Sequence, residues 1–210
     1  RHDWARSVAV GDRQSYDPVT MRSVLTIAAY LSAQHLALLA AACVPKTQLN
    51  KAVLELESQW KAENDRFLQS QGRRFFRASK QQGFNAAQLA ASRLGMVVEQ
   101  QDYATGFLFV TSPAPVPLTV EEWTVVQKTD TKEMRSIVAE QVGIFSWWVT
   151  LDPSGKDVLS NLFVKEADGG IDVSVALRLR VRSATTDKLR RMQPPPSAVR
   201  IGVQKFWIAF

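Results

Sequence analysis

The chain has 210 residues, 46% of them hydrophobic and 22% charged, with a net charge of +6 and a pI near 9.7. That composition excludes a disordered tail and a multi-span membrane protein, and the single cysteine excludes an intrachain disulfide. A basic balance suits acidic partners in general: anionic lipid, lipopolysaccharide and peptidoglycan as well as nucleic acid.

In chain order, the first strong signal runs from Met21 to Cys43. Met21-Arg22 opens it, Ser23–Ala42 is largely apolar, and it closes on Leu38-Leu39-Ala40-Ala41-Ala42-Cys43. A positive start, an apolar stretch and small residues before a cleavage point describe a secretory signal. With the only cysteine directly behind them, the segment resembles the signal of bacterial lipoproteins. The resemblance implies cleavage before Cys43 and acylation of that residue, with palmitate among its acyl groups. In this family the leucine usually stands three residues before the cysteine, where this chain has Ala40. Val44 after the cysteine implies the outer membrane, periplasmic face. The alternatives are an uncleaved N-terminal anchor in the inner membrane and a core helix with a buried cysteine; Gln34 and His35 interrupt the apolar run that an anchor needs. Met21 is the expected start, which leaves residues 1–20 as upstream sequence that is not native to the working protein. Residues 21–42 are then the signal peptide, 43–71 a tether and amphipathic helix, and 72–210 the domain.

From Cys43 onward 168 residues remain, enough to bury about 70% of their unfolded surface. After a short tether (44–50), Val53, Leu56, Trp60 and Phe67 recur at helical spacing over 51–69. Arg73 to Ser79 has strand character. Asn85 with Gln88 makes a capping box, Phe84 and Leu89 a staple, and Gly95 a stop. Met96–Asp102 and Phe107–Thr111 form a hairpin across Tyr103–Gly106, completing a β-α-β-β unit. Pro113, Pro115 and Pro117 predict an extended, stiff segment over Ser112–Leu118. Thr119 and Glu122 make a second capping box, stapled by Leu118 and Trp123. Asp130 and Glu133 make a third, so residues 120–142 are one kinked helix or two, stopped by Gly143. Ile144–Leu151 is expected as an aromatic-rich strand and Asp152–Gly155 as a turn.

Val158–Lys165 and Ile171–Arg182 form a hairpin across Asp168-Gly169-Gly170. Ile171, Val173, Val175, Leu177, Leu179 and Val181 alternate with small or polar residues, so one face of that strand is buried. Thr185–Pro196 is a polar loop. The last segment is a helix carrying Val199, Val203, Phe206 and Phe210, or else a strand. The order predicts an α+β fold: an antiparallel sheet with helices on one face, containing the β-α-β-β unit and a C-terminal hairpin plus helix. In layout alone it resembles small domains of accessory lipoproteins in outer-membrane assembly, a likeness that carries over no functional residue.

The search for chemistry yields mainly exclusions. Both histidines, His2 and His35, precede Cys43, so the exported part has neither histidine nor a second cysteine. Serine or cysteine triads and imidazole or thiolate zinc sites are excluded there, and no cofactor or metal is expected. Gly155-Lys156 lacks the earlier glycine of a phosphate loop, and no dinucleotide fingerprint is present. Ser58-Gln59-Trp60-Lys61 matches Ser-x-x-Lys, but the companion Lys-Thr-Gly motif is missing and an amphipathic helix explains it. Glu121 with Glu122, or Asp157 with Asp172, are the nominal carboxylate pairs for glycan hydrolysis, the least favoured reading. The Phe145, Trp147, Trp148 cluster suits either a core or a stacking surface. Arg178, Arg180 and Arg182 fall on one face of their strand, as a solvated row or an anion-binding strip.

These readings predict a non-enzymatic envelope lipoprotein, tethered to the membrane by its lipid and working through contacts with another envelope protein. The alternative is a module that binds an anionic polymer or lipid through the arginines. Export leaves no opportunity for nucleic acid.

Overall fold

The computed structural model describes residues 46–181 and 190–210. The signal-like segment with Cys43, and Arg182, lie outside the described residues.

The elements follow the α+β order. Helix α1 spans Lys46–Gln71, so the expected tether is helical from Lys46 onward. Its buried residues, Ala52, Leu56, Trp60 and Asn64, recur every fourth position. Strand β1 is Arg73–Phe76 and helix α2 is Lys80–Arg93. The start of α2 corrects the expectation: Ser79 is the N-cap, with Gln82 closing the capping box, and Asn85 lies inside the helix. Ser-x-x-Gln carries the same signal as Asn-x-x-Gln six residues later, and the earlier one starts the helix. Strands β2 (Val97–Asp102) and β3 (Phe107–Pro113) form the expected hairpin.

The proline segment is turned rather than extended. Val116 N donates to Pro113 O and Leu118 N to Pro115 O, and the Ala114–Pro115 and Val116–Pro117 bonds are cis. Helix α3, Val120–Val142, starts at the Thr119/Glu122 capping box and runs unbroken through Asp130. The expected strand at 144–151 is instead a 3-10 helix over Gly143–Trp148 followed by coil. Here Arg135 Nε donates to Val149 O and Gln127 Nε2 to Leu151 O, so side chains of α3 bind carbonyls that a sheet neighbour would otherwise need. Trp147 is exposed there, and the side chains of Phe145 and Trp148 lie outside the described residues.

The long hairpin is β4 (Lys156–Ala167) and β5 (Gly170–Val181). Within the expected polar loop, Arg190–Met192 forms a short strand, β6, and the chain closes with helix α4, Pro196–Ala209.

The described strands make one antiparallel sheet in the order β1-β5-β4-β3-β2. Two short strands share the free edge of β5: β1 pairs with Ile171–Ser174 and β6 with Leu179–Val181. The β-α-β-β unit is therefore present in chain order, but β1 and β2 lie at opposite sides of the sheet. The inner face carries Ile171, Val173, Val175, Leu177 and Leu179 with Leu108, Val110, Leu162 and Val164. It packs against Phe84, Ala87, Ala90 and Ala91 of α2 and Val199, Val203, Phe206 and Trp207 of α4.

Gly83 permits that approach, since a Cβ there would stand 2.1 Å from Ile171 Cδ1. Helices α1 and α3 pack on each other and on α4. The end of α1 is tied down by Trp207 Nε1, which donates to Gln71 O at 2.8 Å.

Candidate functional site

The arginine row marks where the sequence placed a site. Register confirms that Arg178 and Arg180 share the outer face of β5, opposite Leu159 and Asp157 of β4. Neither is an open cation. Arg180 donates through Nε and Nη2 to Asp157 Oδ2, at 3.3 and 3.0 Å, in a pair with side chains only 25% and 11% exposed. Arg178 Nη1 donates to Gln193 Oε1 at 2.8 Å.

Asp157, Asp172 and Glu122 of the nominal carboxylate pairs are each engaged by a cation. Asp157 binds Arg180, Asp172 binds Arg73, and Glu122 caps α3 while accepting from Lys205 Nζ at 2.6 Å. Burial pushes the Glu122 carboxyl up, but the Lys205 ammonium and the Thr119 amide outweigh it and hold it below its ordinary value. Ser58 and Lys61 are exposed on α1, and Lys61 pairs with Asp65.

One acid is buried at a position where the sequence pattern predicts a local helix cap. Asp130, 2% exposed, accepts from Ser197 N at 3.0 Å and Ser197 Oγ at 2.6 Å. It therefore caps α4 from a different helix, supplying the acceptor that Pro195, in the N-cap position, cannot. Burial raises its carboxyl above the usual range, against the pull of the Ser197 bonds. Burial, with the nearby Glu63 charge, raises Glu133 as well. Asn64, also buried, donates to Pro194 O at 3.0 Å and fixes the approach to the same helix end. This constellation is structural: it seats α4 on α3.

The surface available for contact is the other half of the outer face. Cross-strand register sets Phe107 opposite Phe163, Phe109 opposite Asn161, and Phe75 opposite Asp172. Phe107 and Phe163 rings are 5.1 Å apart, and Lys165 Nζ lies 5.5 Å from the Phe163 centroid. Phe75 is 48% exposed, Phe107, Phe109 and Phe163 are half-buried, and Asn161 and Lys165 are exposed. Beside them, between the end of α1 and strands β4 and β5, opens a groove of about 560 Å³ lined by Leu68, Gln69, Asn161, Phe163, Lys165 and Ala176 among others. Toward the opposite end of the face, Thr111, Asp157 and Leu159 are buried.

Sequence reasoning missed these phenylalanines. Their signal was the alternation Phe107-Leu108-Phe109-Val110, apolar on both faces, which also describes a strand buried on both sides.

The class these features define is a small α+β domain with one antiparallel sheet, helices packed on its inner face and a half-open aromatic outer face. Among the described residues no helix is long and apolar enough to cross a membrane. No protein-family model matches the chain, and comparisons with curated proteins and with solved structures found no significant match.

Proposed function

We propose that the protein is a membrane-tethered envelope lipoprotein, acylated at Cys43, whose domain works as an accessory that grips another envelope protein. The observation that carries the contact role is the outer sheet face at Phe75, Phe107, Phe109 and Phe163, half-exposed beside an open groove. Aromatic side chains contribute large contact areas at interfaces, and Lys165 at the groove supplies a charge that an acidic residue on the partner can meet. The partner is accordingly a protein presenting an apolar side chain flanked by an acid. Anion binding by the arginine row finds less support, because Arg180 and Arg178 are already bonded to Asp157 and Gln193.

The test uses the tethered full chain with a photo-crosslinking residue at Asn161, which is exposed at the groove. A discrete adduct in the membrane fraction is expected, lost when Cys43→Ala leaves an unprocessed precursor without the acyl anchor. No adduct from Asn161, or an adduct set equal to that from Gln81 on exposed helix surface, would overturn the contact role. A mature chain without an acyl group on Cys43, read by intact mass, would overturn the tether.

A further inference from the structure

Helices α1 and α3 run past the start of α4 at one end of the fold. Helices α3 and α4 are antiparallel: Asp130 binds Ser197 near the start of α4, and Glu122 binds Lys205 near its end. Helix α1 runs parallel to α4, since Glu63 pairs with Arg200 and Gln71 O accepts from Trp207. The start of α1 and the end of α3 therefore point the same way, beyond Pro196, the first residue of α4. At about 1.5 Å per residue, both overrun it by roughly 15–20 Å. Ala52 and Leu56 of α1 and Ile137, Val138 and Val142 of α3 are buried along this stretch.

The end of this helix pair is apolar where water reaches it. Leu49 is 47% exposed, Ile144 79% and Trp147 56%, the last two on the 3-10 helix that follows α3. Single exposed apolar residues are ordinary, but several gathered at one end of a fold mark a contact site. Lys46 is exposed on the first turn of α1, and Glu140, exposed near the end of α3, balances it. The attraction is therefore apolar rather than electrostatic. Tryptophan favours the headgroup level of a bilayer, where its ring is half in an apolar medium and half in a wet one.

The occupant follows from where the chain enters. Lys46, the first residue of α1, stands three positions after Cys43, a span of at most about 11 Å of extended chain. A lipid on Cys43 thus brings this end of the fold to the bilayer surface. The 168–170 turn lies at the other end of the sheet: β5 runs about 35 Å from it to Val181, which pairs with β6 just before α4. We propose that Leu49, Ile144 and Trp147 dip into the headgroup region of the membrane that holds Cys43, so that the domain stands on the bilayer through its lipid and through this tip. This rests on the lipid tether proposed above, and not on the phenylalanine face.

The test takes the full chain from the membrane fraction into vesicles of phosphatidylethanolamine and phosphatidylglycerol, with an environment-sensitive fluorophore on Ile144→Cys. A Cys43 whose sulfur carries lipid leaves the introduced thiol as the only reactive one. On reconstitution the emission should shift to the blue and fall about twofold or more with lipid spin-labelled on its acyl chains. Leu49→Cys should give the same result, and Asp168→Cys, exposed at the far turn, should show neither change. All three positions are exposed, so the replacements leave the core untouched. No quenching at either tip position, quenching equal to that of Asp168→Cys, or a crosslink joining two copies through the tip in its place would overturn the proposal. A reactive thiol on the unsubstituted chain would overturn the tether instead. Ile144→Cys in a Cys43→Ala background, on the same vesicles, then reads the tip by itself: quenching sustains it and its absence overturns it.

Discussion

The two faces of β5 obey different rules although they alternate along one strand. The inner residues Ile171, Val173, Val175, Leu177 and Leu179 are at most 8% exposed and meet helices α2 and α4. The charged residues of the outer face are answered one by one: Asp172 takes Arg73, Arg180 takes Asp157 and Arg178 takes Gln193. The inner face is held by burial, which is collective and non-directional. The outer face is held by pairs, which are local and individually weak where solvent reaches them. The outer face can thus accept changes, and a partner, without disturbing what holds the fold.

The sharpest way to break this comparison is to put the same charge on adjacent residues. Val173→Asp buries an unpaired carboxylate among apolar groups and should cost more than about 4 kcal/mol, leaving no cooperative melt. Ser174→Asp, one residue on and facing outward, should stay within about 0.5 kcal/mol. Equal losses in chemical denaturation would mean that the faces are not distinct.

Next in size is the buried cap. Asp130→Ala removes both acceptors of Ser197 and should cost about 2–3 kcal/mol. Asp130→Asn keeps the shape, since its amide can donate to Ser197 Oγ while its oxygen accepts from Ser197 N. Because burial raises the Asp130 carboxyl in the folded state, the native protein holds that proton to higher pH than the unfolded chain does. The stability that Asp130 contributes should be fullest below the ordinary carboxylate range and fall as pH rises through the raised value, against the opposite slope of Asp102, Glu121, Glu122 and Asp152, whose carboxyls are lowered in the folded state. Melts across that range should show Asp130→Asn losing this falling component relative to the parent chain, while Glu133, raised in the same direction, keeps its own.

Gly83 tests how closely α2 sits on the inner face. Gly83→Ala forces its Cβ against Ile171 Cδ1 and should cost about 1–3 kcal/mol by overpacking. Ile171→Val removes the clashing methyl, so the double variant should recover part of the loss, a coupling read from a double-mutant cycle.

Smaller still is the effect at the arginines. Arg180→Gln leaves a largely buried Asp157 without its guanidinium and should cost about 1–2 kcal/mol. Arg178→Gln loses one bond to Gln193 and should cost less than about 1 kcal/mol.

Legibility divides along the same line. The alternation of β5, the Thr119/Glu122 capping box and the 168–170 hairpin turn are local patterns, and each stands in the structure where the sequence places it. The α+β class with helices on the inner face follows from them. What failed needed a distant partner. Asp130-x-x-Glu133 has the grammar of a local cap, but its acceptor serves Ser197, 67 residues away. Ile144–Leu151 has strand composition, but α3 side chains bind its carbonyls. The arginine row was visible as a row, whereas Asp157 and Gln193, which engage Arg180 and Arg178, became its neighbours only through register and the turn before α4. The phenylalanine face is the same case: Phe107 and Phe163 are 56 positions apart and meet only when β3 pairs with β4.

The central claim, that the inner face holds the fold and the aromatic outer face serves a partner, is tested most directly by one double variant. Phe107→Ser/Phe163→Ser is made in the tethered chain and measured for both thermal unfolding and the Asn161 crosslink. Both side chains are half-buried on a face away from the core cluster. The account predicts a cooperative melt weakened by no more than about 2 kcal/mol, with the crosslinked adduct lost. Loss of cooperative unfolding, or an undiminished adduct on an intact fold, would contradict it.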